Sequence, residues 1–203
     1  MTAARLLCLL PPLLLAASPA AAGHLHLRYT VYFGYLPALE ATADIRMDAG
    51  RYDVGATVAP QPWIAWALPW TARSWSTGRR AGDGALRPER HRATATWGSR
   101  VRTTNLDFDE AGGIQMALEP PGLEEGREPV PEASRTGALD PVSGVMALVE
   151  TVDAGGGCAA SVPVFDGRRR FDMRAERLAN AVMPSSYYSA YAGPVTVCRV
   201  RFQ

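Results

Sequence analysis

The 203-residue sequence has no lysine, and it contains only three histidines and three cysteines. All 21 basic residues are arginine, and with 20 acidic residues they give a net charge of +1. A chain without excess positive charge lacks the electrostatic footprint expected of a protein that binds nucleic acid or an anionic membrane. The few histidines and cysteines form no Cys-x-x-Cys or His-x-x-x-His pair. The sequence therefore predicts no metal site and no cofactor.

The sequence also lacks an apolar run of the roughly 20 residues that a membrane-spanning helix needs. Its most apolar stretch, residues 6–15, follows Arg5 and precedes three small residues at 20–22. This is the organisation of a secretory signal peptide. Cleavage near Ala22 would leave residues 23–203, which we expect to form a single domain in the periplasm rather than an integral membrane protein.

Removal of the signal peptide would also remove Cys8 and leave two cysteines, Cys158 and Cys198. Exported proteins enter an oxidising compartment, where two remaining cysteines usually form a disulfide. A bond closing this loop of about 41 residues would stabilise the fold by roughly 4 kcal/mol in the chain-entropy model. We predict a structural disulfide rather than a redox pair, because the two cysteines lack Cys-x-x-Cys spacing.

Apolar and polar residues alternate with a period of two through most of the sequence after the signal peptide. The alternation is clearest at residues 25–33, 39–47 and 52–58. Shorter segments with strand character follow at residues 70–79, 85–97, 99–109, 113–118, 161–165, 168–175 and 195–202. Such alternation is typical of antiparallel strands with one buried face and one face in water.

One segment predicts a helix. Asp140 can cap it, Pro141 suits its first position, and glycines at 155–157 would end it. About ten short strands with a single helix cannot lie as one flat sheet, because a long sheet curls or closes to bury its apolar face and hide its edges. We therefore expect a mainly β fold: a strongly curled antiparallel sheet or half-barrel with one helix packed on the concave face.

Several motifs occur in a recognisable order along the chain. They are Tyr35–Ala41, Trp66–Trp70, Leu106–Phe108, Arg127–Pro131, Leu139–Pro141, Val164–Asp172 and Tyr191–Pro194 before Cys198. In this order they resemble the uncharacterised bacterial periplasmic family catalogued as domain of unknown function 3108. The resemblance implies an envelope protein with a curled antiparallel sheet, similar to the carriers that ferry lipoproteins across the periplasm. It implies no established activity, and it implies further strands beyond Gln203.

Tryptophans and arginines are the candidate ligand-binding residues. Trp63, Trp66 and Trp70 are spaced three and four residues apart, the first two between Pro62 and Pro69 and the third directly after Pro69. Either these indoles plug the open end of the sheet as core, or they line an apolar lid that accepts an acyl chain or touches the inner leaflet of the outer membrane. Arg168 and Arg170 flank a tight hairpin, as a solvated edge or as a grip for a phosphate or carboxylate headgroup.

These observations favour an exported, non-enzymatic envelope protein that binds an apolar or amphiphilic ligand, such as a lipid, in a β-sheet cavity. The first alternative is a structural role, in which an exposed edge strand docks on an envelope protein. The second is a periplasmic hydrolase, although Ser143, Ser185 and Ser186 lack a Gly-x-Ser-x-Gly elbow. A hydrolase would need His91 within hydrogen-bond reach of a nucleophile or a carboxylate.

Overall fold

The fold was derived from a computed structural model, which describes residues 23–48, 50–120, 128–152 and 157–203. The predicted signal peptide at residues 1–22 lies outside this part of the chain. Seven strands follow one another as an antiparallel meander: β1 (Gly23–Phe33), β2 (Leu36–Asp48), β3 (Arg51–Pro60), β4 (Trp70–Arg80), β5 (Leu86–Trp97), β6 (Arg100–Phe108) and β7 (Ile114–Glu119). A second antiparallel sheet has the order β10–β9–β8, with β8 (Ala160–Phe165), β9 (Arg170–Met183) and β10 (Gly193–Phe202).

The register of the meander places apolar and polar residues on opposite faces. Directly opposed residues share a face, and one row across six strands is made by Leu25, Ile45, Val54, Ser76, His91 and Leu106. We call this side the inner face. A row of the outer face is made by Arg28, Thr42, Thr57, Arg73, Thr94 and Thr103. The alternation seen in the sequence is therefore the alternation of the two faces.

Two helices connect the sheets: α1 (Glu132–Arg135) and α2 (Pro141–Thr151). Helix α2 lies between the two sheets. Met146 packs on Tyr52, Val54 and Leu86 of the first sheet, while Leu148 packs in a cluster with residues of β8 and β9. Gly144 permits the close approach, because a Cβ there would lie 2.7 Å from Val164 Cγ2 of β8 and 2.6 Å from Met173 Cε of β9.

The mainly β, antiparallel architecture is confirmed, whereas the strongly curled sheet or half-barrel is wrong. Within the described ranges, the first sheet is not strongly curled, and the two sheets do not close into a barrel. The reason is the position of α2, which lies between β7 and β8 in the sequence. The first sheet packs on one side of this helix, and the second sheet packs on the other side. Part of the apolar face is thereby covered by α2 and the second sheet, so the first sheet buries it without curling.

The sequence analysis predicted a single helix and missed the short α1, and element bounds differ from the prediction most clearly at two places. Helix α2 begins at the expected cap and proline but ends at Thr151, before the predicted glycine stop, of which Gly155 and Gly156 lie outside the described residues. Strand β9 continues to Met183, eight residues beyond the predicted end. Its last eight residues are exposed on both faces and pair with β10; we call Glu176–Met183 and these partners the β9–β10 ribbon.

The predicted disulfide is confirmed. Cys158 and Cys198 are bonded, with their Cα atoms 5.6 Å apart. Cys158 is 1% exposed and belongs to the core cluster around Leu148. The bond therefore ties the segment after α2 to β10, the edge strand of the second sheet. In the described part of the chain, no helix combines the length and apolar character required to cross a bilayer.

Candidate functional site

The inner face of the first sheet has a covered part and an uncovered part. Helix α2 covers the row that contains Val54, Ser76 and His91. Nearer the β1–β2 turn, a second row is made by Tyr29, Ala41, Val58, Ala72, Ala95 and Arg102, which we call the alanine row. None of its members is buried, and none belongs to the hydrophobic core clusters found among the described residues.

The middle of the alanine row is an apolar floor of small side chains, with Tyr29 at its β1 side and Arg102 at its β6 side. Tyr29 stands at the β1 side and is 57% exposed, while Trp97, one row further along, is 55% exposed. Small side chains in the middle of a sheet leave room above the backbone, and apolar surface left open in this way marks a contact site more often than a chance exposure. The floor is therefore the strongest candidate for a ligand contact.

A cavity of about 360 Å³ opens at one end of this floor. Trp70 and Trp97 are directly opposed in register, as are Trp97 and Arg100 of the next strand. The cavity is lined by Trp70, Ala95, Thr96, Trp97, Arg100 and Arg102. Two indoles beside two guanidinium groups can take the apolar and the anionic parts of one amphiphilic molecule.

Of the three tryptophans proposed from the sequence, the structure places only Trp70 at this cavity. Trp63 and Trp66 lie in the β3–β4 connection and are 49% and 84% exposed. Their indole N–H groups donate to the backbone carbonyls of Pro37, at 2.8 Å, and of Trp63, at 3.0 Å. Such exposed rings do not plug the sheet as core residues.

Arg168 and Arg170 lie elsewhere. They line another cavity of about 620 Å³, which shares no residue with the first. Arg170 pairs with Asp172, and Asp166 accepts the backbone N–H of Arg168 at 2.8 Å in the hairpin turn. The sequence analysis missed Trp97, Arg100 and Arg102. The available signal was the Trp97-Gly98-Ser99-Arg100 hairpin, which places its first and last residues opposite each other.

A larger cavity, about 700 Å³, lies at the other end of the sheet. Two of its three arginines are paired with carboxylates: Arg79 with Glu89 at 2.8 Å, and Arg80 with Glu150 at 3.7 Å. A cavity lined by ion pairs suits an apolar molecule less well than the uncovered inner face does, despite its greater volume.

A buried polar cluster lies beneath α2. It consists of Tyr52, Ser76, His91, Asp140 and Ser143, each no more than 2% exposed. Asp140 is the cap of α2 and accepts the backbone N–H groups of Val142 and Ser143, both at 3.0 Å. The sequence predicted this cap, but not the other contacts, because those partners come from β3, β4 and β5.

Both serine hydroxyls of the cluster donate to Asp140. Ser76 Oγ donates to Asp140 Oδ1 at 2.7 Å, and Ser143 Oγ donates to Asp140 Oδ2 at 2.5 Å. Each serine has one hydroxyl proton, which it donates to Asp140. In the 2.7 Å contact between Tyr52 and Ser143 the tyrosine hydroxyl must therefore be the donor, and in the 2.8 Å contact between His91 Nδ1 and Ser76 the histidine must be the donor. Every hydroxyl in the cluster is therefore satisfied.

His91 meets the condition set for a hydrolase, since it lies near both a serine and a carboxylate, but the arrangement is not a catalytic relay. Its Nδ1 atom faces both Ser76 Oγ, at 2.8 Å, and Asp140 Oδ1, at 3.2 Å. A nucleophile–histidine–acid relay uses opposite ring nitrogens for the nucleophile and the acid. With Ser76 fully buried as well, this geometry supports a structural role.

Burial and hydrogen bonding act in opposite directions on Asp140. Burial alone would raise the pKa of its carboxyl, but hydrogen bonds from His91 and Ser143, together with the charge of His91, hold the pKa below the usual value. Burial raises the pKa of the Tyr52 phenol, and the hydrogen bond to Ser143 opposes that shift only in part. The ionised carboxylate and the neutral phenol are therefore the forms that the fold stabilises.

Replacing Tyr52 with phenylalanine is expected to lower the free energy of unfolding by about 1–2 kcal/mol. The variant keeps the ring over Gly78, where a Cβ would lie 2.6 Å from Tyr52 Cζ, but removes the donor to Ser143. Urea denaturation measures the change. Tyr29→Phe is the matched control, because its hydroxyl is on an exposed residue; equal effects of both substitutions would show that the buried hydrogen bond contributes nothing.

No group of three or more histidine, cysteine, aspartate or glutamate side chains suited to a metal ion occurs in the described ranges. No curated protein and no solved structure matches the chain. A family model does match, over residues 28–203, and its description is "Protein of unknown function (DUF3108)". This match covers nearly all of the chain after the predicted signal peptide. The chain therefore belongs to the DUF3108 family, whose members are described as proteins of unknown function.

Proposed function

We propose that this protein binds an apolar or amphiphilic molecule on the uncovered inner face of the first sheet. The observation that carries the proposal is the alanine row, an apolar floor that neither α2 nor the second sheet covers. The apolar part of the ligand lies on this floor. Its polar head lies beside Trp97 and Arg100, at the cavity.

The apolar character of the floor suits a hydrocarbon chain. Each methylene that leaves water for an apolar surface contributes about 0.8 kcal/mol. A chain that lays six methylenes on the floor would gain roughly 5 kcal/mol before the cost of association is subtracted. This supports binding of a lipid-like molecule, while a small polar metabolite would gain little from the same surface.

The proposed site of action is the periplasm. Two observations support it: the signal-peptide organisation of residues 1–22 and the disulfide between Cys158 and Cys198. Disulfides persist in oxidising compartments and are rare in reducing ones. Sequencing the amino terminus of protein taken from its native cells should start at Gly23. An intact Met1 would contradict export by a cleaved signal.

Placing a carboxylate on the floor is expected to weaken ligand binding strongly. Ala72→Asp sits in the middle of the alanine row, between Val58 and Ala95. A buried, unpaired charge opposes an apolar ligand strongly, so the dissociation constant for N-phenyl-1-naphthylamine, an uncharged fluorescent probe, should rise by about tenfold or more. Fluorescence titration measures it.

Thr71→Asp provides the matched control. Thr71 is the neighbouring residue, lies on the outer face opposite Thr96, and is exposed. It should leave probe binding unchanged, and both variants should have similar thermal stability. Equal effects of the two substitutions would contradict the proposal. So would a wild-type protein that gives no probe signal and carries no lipid in native mass spectrometry after purification from its own envelope.

The structural or interaction alternative has one observation in its favour. Strand β1 is 11 residues long and forms an edge of the first sheet. A partner strand could pair with such an edge. In-cell crosslinking from β1 that gave one discrete protein adduct, together with no probe binding, would favour this alternative over a ligand carrier.

A further inference from the structure

The two ends of the first sheet differ sharply in composition. Because the meander is antiparallel, its β1–β2, β3–β4 and β5–β6 connections lie at one end, and its β2–β3, β4–β5 and β6–β7 connections lie at the other. The tip of the β9–β10 ribbon also reaches the first end, where the rings of Tyr188 and Tyr32 meet edge to face with centroids 5.7 Å apart. We call this first end, with its four connections, the aromatic end.

Exposed aromatic side chains lie within or directly beside each of the four connections of the aromatic end. The most exposed are Phe33, Tyr35, Trp66, Tyr187 and Tyr188, which are 77–100% exposed. The connecting residues at 34–35, 61–69, 98–99 and 184–192 contain no charged side chain. Arg100 follows directly after one connection, and the nearest carboxylates in these strands, Glu40 and Glu119, are on the outer face.

The opposite end has the reverse character. Its connections contain Asp83, Asp109 and Glu110, and Arg80 and Arg51 flank them. No aromatic side chain occurs in its described connections at residues 50, 81–85 and 109–113. Charged side chains and exposed aromatic side chains thus lie at opposite ends of the strands. A protein surrounded by water on all sides has no need of such a separation.

Tyrosine and tryptophan rings at one end, around four described connections that contain no carboxylate, fit the boundary between lipid headgroups and acyl chains. These side chains combine an apolar ring with a polar N–H or O–H group, and they are enriched at that depth of a bilayer. We propose that the aromatic end docks on the surface of a phospholipid bilayer. The near-zero net charge of the chain indicates that aromatic insertion rather than charge attraction drives the docking.

The docking and the ligand proposal are separate claims about neighbouring surfaces. The cavity beside Trp70 and Trp97 opens near the aromatic end, so a molecule that leaves a docked bilayer would reach the alanine row directly. Docking does not require such a molecule. Loss of probe binding in Ala72→Asp with bilayer docking intact would support both proposals, and probe binding without docking would overturn only the one made here.

Single-tryptophan proteins test the orientation. Trp66 lies at the aromatic end, whereas Trp75 lies within β4 on the outer face, where its Nε1 donates to Asp53 Oδ1 at 3.0 Å. With the other four tryptophans changed to phenylalanine, each protein is mixed with vesicles of phosphatidylethanolamine and phosphatidylglycerol that carry brominated acyl chains. We expect bromine to quench Trp66 emission and to leave Trp75 emission unchanged. Equal quenching of both, or of neither, overturns the proposal.

Vesicle co-sedimentation tests the same claim without multiple substitutions. The double variant Tyr35→Ser, Trp66→Ser should reduce the partition coefficient by about tenfold or more, whereas Phe202→Ser, at a 68% exposed position in the second sheet, should not. Binding should persist in 0.5 M sodium chloride; its loss there would show charge attraction and contradict aromatic insertion. Self-association without lipid that the double variant abolishes would assign this end to a second copy and overturn bilayer docking.

Discussion

Asp140→Asn is expected to lower the free energy of unfolding by about 3–5 kcal/mol, which is a large part of the stability of a typical domain. The carboxylate accepts hydrogen bonds from Ser76, from Ser143 twice, and from the backbone of Val142, and it faces His91. An amide cannot accept all of these bonds and would set its own N–H donors against buried hydroxyls. Urea denaturation followed by circular dichroism measures the loss.

Asp83→Asn is the matched control for this substitution. Asp83 accepts one backbone hydrogen bond, from Ala85 at 3.0 Å, in the exposed β4–β5 turn. An asparagine oxygen can keep that bond, so the change should stay within about 0.5 kcal/mol. If both substitutions cost the same, the buried cluster would be no more important than a surface turn.

The acid side of the stability profile should also depend on Asp140. Its pKa is lowered in the folded protein, so its contribution is fully present above the unfolded value of 3.8 and is lost as the pH falls through the folded pKa. The stability difference between the wild type and Asp140→Asn should therefore shrink as the pH falls below 3.8. A difference that remains constant down to the lowest pH at which the protein folds would contradict the lowered pKa.

Reduction of the disulfide is expected to lower the free energy of unfolding by roughly 4 kcal/mol. The bond joins residues 40 positions apart, so it restricts the unfolded chain substantially. It also secures β10, whose only described neighbouring strand is β9. Urea denaturation with and without a reducing agent measures the loss, and amide hydrogen exchange in β10 should become faster in the reduced protein.

The double variant Cys158→Ser, Cys198→Ser separates the bond from other effects of the reducing agent. It should resemble the reduced wild type, and the reducing agent should change its unfolding curve no further. Because Cys158 is 1% exposed, its serine hydroxyl adds a burial cost, so the variant can be somewhat less stable than the reduced protein. Identical unfolding midpoints for oxidised and reduced wild type would contradict a stabilising role.

The buried cluster also explains why the alanine row is the uncovered part of the inner face. Tyr52, Ser76 and His91 hold the start of α2 against β3, β4 and β5 through Asp140 and Ser143. From these rows the 11-residue helix runs towards the other end of the sheet, where Met146 packs on Leu86 and Glu150 pairs with Arg80. The alanine row therefore stays open. The serine, histidine and aspartate that resemble a hydrolase site thus fix the position of α2. The apolar floor is the part of the inner face that α2 does not cover.

Much of the candidate site could not be predicted from the sequence, because it depends on strand order and register. The sequence indicated that the tryptophan-rich segment matters, and Trp70 does line the cavity, but its partners Trp97 and Arg100 come from a different hairpin. Arg168 and Arg170 were predicted beside the same cavity, yet β8 and β9 belong to the other sheet. Distances between hairpins follow from strand order, and alternation within each strand contains no information about that order.

Periodicity, turn residues and the Asp140-Pro141 pair were enough to determine the strands, the start of α2 and the disulfide partners, because each depends on neighbours in the chain or on a choice between few residues. Tertiary structure alone decided that there are two sheets rather than one curled sheet, that His91 meets Asp140, and that part of an apolar face stays open. Those outcomes depend on where α2 packs, and a helix with an apolar stripe has many sheet surfaces that would bury it.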